Sequence, residues 1–301
     1  MHTTTATTPQ TTTPCIAIVG LGEVGRCYAQ ALHHAGFGLL LCEPHPSEAA
    51  TALAAAWGLP LHPQAGPWLT GADWVLSCVT GAQSLAVATQ AMAHMAPGAG
   101  LADLSTASPE VKRQAAAQAA SHGVRCVDTA IMGAISLGGV HTPLLAAGPG
   151  ADALKAVLVQ AGARVQVIEG GQVGDAMALK LLRSVFTKGM EALCVELLLS
   201  AEKQGLREPL YAQLADIDQT PLRSFIDMLV RTHVVHAQRR AHEVADAQQA
   251  MAAQGLPSRV LPGVAQRFRD TAHQLATHPL PVADPTVEEA LAWLQTPRTP
   301  G

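Results

Sequence analysis

Charged side chains are scarce in this chain, 14% of its residues, and nowhere do lysine and arginine gather into a run. With a formal net charge of −4 and a pI near 6.3, the sequence has no electrostatic footprint for nucleic acid or for an anionic membrane surface. Also missing is a run approaching the ~20 consecutive apolar residues of a membrane-spanning helix. Even the apolar segment after Met190 is interrupted by Glu196 and Lys203, so no membrane role is expected. The cysteines Cys15, Cys27, Cys42, Cys78, Cys126 and Cys194 form no C-x-x-C pair. Most sit inside apolar stretches, where cysteine behaves as a small hydrophobe, and reduced thiols in a cytoplasm are the expectation. His233 and His236 have neither an H-E-x-x-H setting nor a carboxylate triad around them, so no metal site is expected. These absences leave a small molecule as the expected partner.

What is present is enough apolar material, 49% of 301 residues, to fill two ordinary cores. Residues 1–14, MHTTTATTPQTTTP, lack both the cationic and the apolar region of a secretory signal and are expected to be a disordered tail. From Cys15 to residue 170, short β-rich runs alternate with Ala-rich helical ones, the pattern of a doubly wound parallel sheet with helices on both faces. The strands are expected at CIAIV, FGLLLCE, DWVLSCV, GAGLADLS, GVRCVDTA and ARVQVIE, with a weaker one at TPLLAAG; Val24 to Ala35 and Pro109 to His122 read as helices. After Gly170 and Gly171 the strand signal stops and apolar residues recur at helical spacing. A second, all-α domain is therefore expected over residues 171–301, with helices at Val173 to Gln204, Pro221 to Val230, His233 to Gln254, Gly263 to Leu275 and Val287 to Leu294.

Gly20-Leu21-Gly22-Glu23-Val24-Gly25 follows the first strand and opens a helix, the context in which G-x-G-x-x-G marks a dinucleotide-binding Rossmann domain, here residues 15–170. Gly20 permits the tight turn, Gly22 lets backbone approach a pyrophosphate, and Gly25 lets the helix pack closely on the strand. The helix N-terminus adds N–H donors and positive dipole. Glu43 ends the second strand, eighteen positions past Gly25, where a carboxylate accepts hydrogen bonds from the adenosine ribose. No arginine follows it, the next residues being Pro44, His45 and Pro46. NAD is thus the expected cofactor and NADP the alternative. Val79 and Thr80, at the end of DWVLSCV, are expected to border the same cofactor.

Taken together, these segments resemble the β-hydroxyacid dehydrogenase family, which includes 3-hydroxyisobutyrate dehydrogenase and is related to 6-phosphogluconate dehydrogenase. Ile18 to Gly25 resembles the family's opening, and Asp103-Leu104-Ser105-Thr106-Ala107-Ser108-Pro109 its D-x-S-T-x-x-P loop. Asp128 to Ala134, DTAIMGA, stands where the family has D-A-P-V-S-G-G, and Gly171 to Lys180 where it has a Gly-rich turn leading to a lysine. The resemblance implies hydride transfer between nicotinamide and a small hydroxy acid or its carbonyl form, with Lys180 as general acid and base. Lys180 fits that role physically, since it opens a long, mostly apolar helix where desolvation moves an ammonium pKa toward working pH. A lysine snorkelling from an amphipathic helix is the plainer alternative.

Ser105, Thr106, Met132, Gly133, Arg183 and Ser184 are the expected substrate contacts, with Gly133 offering a backbone N–H. Two of them depart from the family: Met132-Gly133-Ala134 replaces Ser-Gly-Gly, and Ser184 replaces an asparagine four residues after the lysine. A substrate other than 3-hydroxyisobutyrate is therefore expected. His236, Arg240 and Glu243 share one helical face; His236 and Arg240 are further substrate candidates, against the usual reading of such a cluster as a solvated face. The apolar residues around most of the 173–204 helix suggest a homodimer. Rival readings are an imine reductase, whose related scaffolds usually carry another residue in place of the lysine, and a non-catalytic dinucleotide sensor.

Overall fold

The computed structural model describes residues 13–296. The expected tail, apart from Thr13 and Pro14, lies outside them. The described chain divides into two compact units, the first ending at Ser184 and the second beginning at Val185.

The first unit runs β1 (Cys15–Val19), α1 (Glu23–His34), β2 (Gly38–Cys42), α2 (Glu48–Trp57), β3 (Leu61–His62), β4 (Trp74–Ser77), α3 (Ser84–Met92) and β5 (Gly100–Asp103). It continues through α4 (Pro109–Ser121), β6 (Arg125–Ile131), α5 (Ile135–Gly138), β7 (Leu144–Ala147), α6 (Ala151–Gln160), β8 (Val165–Val167) and the first turns of α7 (Asp175–Lys203). The eight strands form one sheet in the order β3-β2-β1-β4-β5-β6-β7-β8. Every neighbouring pair is parallel except β6 with β7.

Alternation along the strands builds two cores. Ile16 and Ile18 of β1 join Tyr28 and Leu32 of α1 on one face, while Ala17 and Val19 join Ala88 of α3 and Ala115 of α4 on the other. Burial on both faces explains why the strand sequences read as continuous apolar runs rather than as alternating ones. Two helix starts are fixed by serine caps that occupy orphan N–H groups: Ser47 Oγ accepts from Ala50 N–H, and Ser108 Oγ from Val111 N–H with Pro109 in the first turn.

The second unit holds the rest of α7 with α8 (Arg207–Gln213), α9 (Ala215–Asp218), α10 (Leu222–Ala253), α11 (Leu261–Thr277) and α12 (Val287–Gln295). Val234, Ala290 and Trp293 form its buried cluster, and Thr286 with Glu289 closes a reciprocal cap at the start of α12. The two helices expected at Pro221 to Val230 and His233 to Gln254 are one continuous α10. The polar pair Arg231-Thr232 interrupts the apolar pattern, but neither residue breaks a helix, and Thr232 Oγ donates back to the Met228 carbonyl at 2.8 Å. Among the described residues no helix is long and apolar enough to cross a membrane.

Candidate active site

In an open α/β sheet, ligands bind beyond the carboxyl ends of the strands where the connection order reverses. Here that point lies between β1 and β4. A cavity of about 610 Å³ opens there, and Gly20, Gly22, Glu43, His45, Val79 and Thr80 are among its lining. The turn after β1 has the shape a pyrophosphate cradle needs. Gly20 takes φ +91°, in the left-handed region, and a Cβ on it would lie 2.9 Å from the Cys78 backbone. Nothing stands within 4 Å of where a Gly22 Cβ would be, so that side of the loop is open. Glu43 ties the loop from β2: its Oε2 accepts from Leu21 N–H at 2.8 Å and its Oε1 from His45 N–H at 3.1 Å. Gly20 to Gly25, Glu43, Val79 and Thr80 are thus brought to one place, and the residues present fit a dinucleotide.

The expected proton carrier sits elsewhere in the same unit. Lys180 is half-buried in the first turns of α7, and burial, seconded by the Lys112 cation, lowers its pKa below the ordinary lysine value. The segment before α7 closes on itself, with Gln172 N–H donating to Asp175 Oδ2 at 2.8 Å. Ala176 packs with Ala130, Leu145 and Ala147, which places the first turn of the helix against β6 and β7. The strand-to-helix boundary expected at Gly170/Gly171 therefore precedes the division between the compact units, which falls inside α7.

The other candidates separate. Thr106 and Gly133 are exposed, but Ser105 is buried, with its Oγ accepting from Ala107 N–H inside its own loop. Ser184 Oγ donates to the Lys180 carbonyl at 3.0 Å, a bond within the helix. Met132, Leu179 and Arg183 line a groove of about 930 Å³ along β7 and β8. His236 and Arg240 belong to the second unit; His236 is exposed there, and Arg240 donates to Thr232 Oγ at 3.0 Å. All six cysteines are free thiols, and burial pushes Cys42 up to about 11 and Cys126 up to about 12, so neither is a nucleophile at neutral pH. Among the described residues no group of three or more His, Cys, Asp or Glu is arranged to hold a metal ion.

Sequence reasoning missed Lys112. It is 1% exposed and forms a buried ion pair with Asp128, Nζ to Oδ1 2.8 Å. The signal was present: Lys112, Ala115 and Ala119 lie at helical spacing on the buried stripe of α4, and a lysine on such a stripe needs an anion behind it.

Residues 15–171 match the NAD-binding domain of 6-phosphogluconate dehydrogenase, and residues 201–271 match a domain of unknown function, DUF1932. An uncharacterized 28.5 kDa protein of Methanothermus fervidus is 28% identical over 236 residues, 77% of this chain and 88% of that one. The conserved protein MTH1747, whose structure is described as similar to 3-hydroxyacid dehydrogenases, is 26% identical with a TM-score of 0.62, covering 86% of this chain and 98% of that one. An imine reductase variant from Myxococcus stipitatus, solved with NAD+, shares the fold at a TM-score of 0.75 and 18% identity, over 94% of this chain and 100% of that one.

Proposed function

The chain belongs to the family of the NAD-binding domain of 6-phosphogluconate dehydrogenase, and from that premise we propose that it is an oxidoreductase acting on a small hydroxy acid, or its carbonyl form, with Lys180 as general acid and base. The observation that carries the reading is Lys180 itself: a half-buried amine, lowered in pKa, at the start of the helix that leaves the NAD-binding fold. A bound nicotinamide supplies the acceptor or donor of hydride. In oxidation the free amine of Lys180 takes the hydroxyl proton as hydride leaves the carbon; in reduction its ammonium returns a proton to the carbonyl oxygen. Lowering the lysine pKa toward working pH lets one group serve both directions. Gly20 to Gly25 hold the pyrophosphate, Glu43 the ribose, and the exposed backbone at Gly133 offers an N–H to the substrate.

The test is a panel of small hydroxy acids with NAD+ and the matching oxo acids with NADH, with cyclic imines as a further arm. Hydride transfer with the hydroxy or oxo acids is the expected result. Reduction of imines alone moves the protein to the C=N class, and no hydride transfer with any of them leaves a dinucleotide sensor.

Glu43 sets the expected nucleotide preference, because a carboxylate at the ribose repels a 2′-phosphate and no arginine follows to hold one. Fluorescence titration is expected to show NADH binding about tenfold or more tighter than NADPH, ~1.4 kcal/mol. Tighter NADPH binding overturns this assignment.

A homodimer is also proposed. On α7, Leu182 is 65% exposed, Val185 74%, Val195 55% and Leu199 55%. Leu181 and Phe186 add further exposed apolar surface on the same helix, and large exposed apolar patches mark interaction sites. A second copy of the chain is the commonest cover for such a face. Light scattering at micromolar concentration is expected to give twice the mass of the chain, reduced to a monomer by Val185→Glu; a monomeric parent protein refutes it.

A further inference from the structure

Lys112 is buried in the core of the first unit between two carboxylates. Its Nζ lies 2.8 Å from Asp128 Oδ1 and 3.7 Å from Asp103 Oδ2, and donates to the Asp103 carbonyl at 2.9 Å. Each carboxylate has further donors. Asp103 Oδ2 accepts from Ser84 Oγ at 2.7 Å and Oδ1 from Ser105 N–H at 2.8 Å. Asp128 Oδ2 accepts from Met177 N–H at 2.9 Å. Met177 stands in the first turn of α7, where backbone N–H groups have no partner within the helix. A carboxylate from β6 thus satisfies one of them, and Lys112 from α4 holds that carboxylate.

Stability does not explain such a pair. Desolvating two charges costs about as much as their attraction returns, and well-packed apolar residues in their place are often neutral or stabilising. What an apolar pair lacks is a fixed anion at the start of α7 and a fixed cation near Lys180, three residues further along the helix.

We propose that Lys112 is a positioning residue for Lys180: by clamping Asp128, which in turn holds Met177 N–H, it locks the first turn of α7 onto β6 and so sets where the Lys180 amine stands. The inference rests on the reading of Lys180 as the proton carrier. The same cation has an electrostatic effect. Burial is the larger cause of the lowered Lys180 pKa and Lys112 the second. The other charges around this turn include Asp103 of β5, Asp128 of β6, Arg113 of α4 beside Gly174, Asp175 and Arg183 on α7 itself, and Arg164 and Glu169, which line one groove with Leu179 and Arg183. The two buried carboxylates face Lys112 directly, and together they fix where its cation stands behind the first turn of α7.

Two variants of the full chain test this. Lys112→Gln removes the cation and leaves Asp128 buried without its partner. Lys112→Met combined with Asp128→Leu puts an apolar pair in place of the ion pair, removes the acceptor of Met177 N–H together with the cation, and avoids the orphaned carboxylate that can prevent folding. In each, the pH midpoint for labelling Lys180 with a small amine-reactive reagent is read by peptide mass spectrometry, and the pH profile of oxidation is read beside it.

The expected result is a labelling midpoint moved to higher pH, with Lys180 reacting several-fold more slowly at neutral pH. The rising limb of kcat should move the same way, with KM for NAD+ unchanged. A labelling midpoint in the folded double variant that superimposes on the parent's overturns the proposal. A midpoint that moves while the kcat profile stays fixed upholds the action of Lys112 on Lys180 and overturns the proton-carrier reading.

Discussion

Lys180→Ala is expected to lower turnover by ~10²–10⁴-fold, the usual worth of a positioned acid/base and about 3–5 kcal/mol of transition-state stabilisation. NADH affinity should change by less than about 1 kcal/mol, because the cradle at Gly20 to Gly25 and Glu43 is built on β1 and β2 and makes no use of the amine. The pH dependence follows from the direction of the Lys180 shift. Oxidation needs the free amine, so its rate rises with pH through the Lys180 pKa; reduction needs the ammonium and falls through the same point. Burial and Lys112 together place that point below the range of an ordinary lysine. The variant should lose this limb from both profiles along with its turnover. Linkage gives a second readout. A lysine whose folded pKa is depressed binds fewer protons folded than unfolded between the two pKa values, so it makes stability rise with pH there. Removing it should leave the Tm at neutral pH no lower than the parent's, apart from the packing of its methylenes. A variant that keeps more than a tenth of parental turnover on the same substrate means another group moves the proton.

Much of the fold was legible because each local signal agreed with the next. Short apolar runs bounded by Gly and Pro became parallel strands, and Ala-rich segments between them became the covering helices. What escaped was direction and brevity. TPLLAAG reads as an apolar run whichever way it lies, and the sequence holds nothing local to say that β7 runs antiparallel to β6. β3 is two residues long, below any periodicity.

The site divides along the same line. Motifs carried by contiguous residues, such as Gly20 to Gly25 before α1, could be read because the chemistry and the chain run together. Ser105 and Ser184 could not be read as readily, because a motif shows a hydroxyl but not whether it bonds its own backbone, as both do. The clamp of Lys112 on Asp128 and Met177 joins α4, β6 and α7 across the sheet, and only the three-dimensional structure brings them within hydrogen-bond distance.

Gly25→Ala and Gly22→Ala make the same chemical change three residues apart and are expected to fail for opposite reasons. At Gly25 a Cβ would lie 1.8 Å from the Gly20 carbonyl oxygen and 2.9 Å from its carbon. Both are backbone atoms that no rotamer change can move, so α1 must shift from β1 or the turn must open. Overpacking of this kind costs ~1–3 kcal/mol and sometimes more, and the Tm should fall while NADH binding is lost with the shape of the loop. At Gly22 the backbone sits at φ −65° in an extended conformation that alanine adopts, and nothing lies within 4 Å of the new methyl. The folded state should therefore be unchanged to within about 0.5 kcal/mol. The methyl instead occupies the open side of the cradle, where the second glycine of such a loop lets backbone approach the pyrophosphate. Loss of NADH binding at an unchanged Tm is the expected signature, measured by fluorescence titration beside thermal unfolding. Should Gly22→Ala bind NADH like the parent, the phosphates do not rest on this loop; should it unfold as early as Gly25→Ala, the open space beside Gly22 serves the fold and not the cofactor.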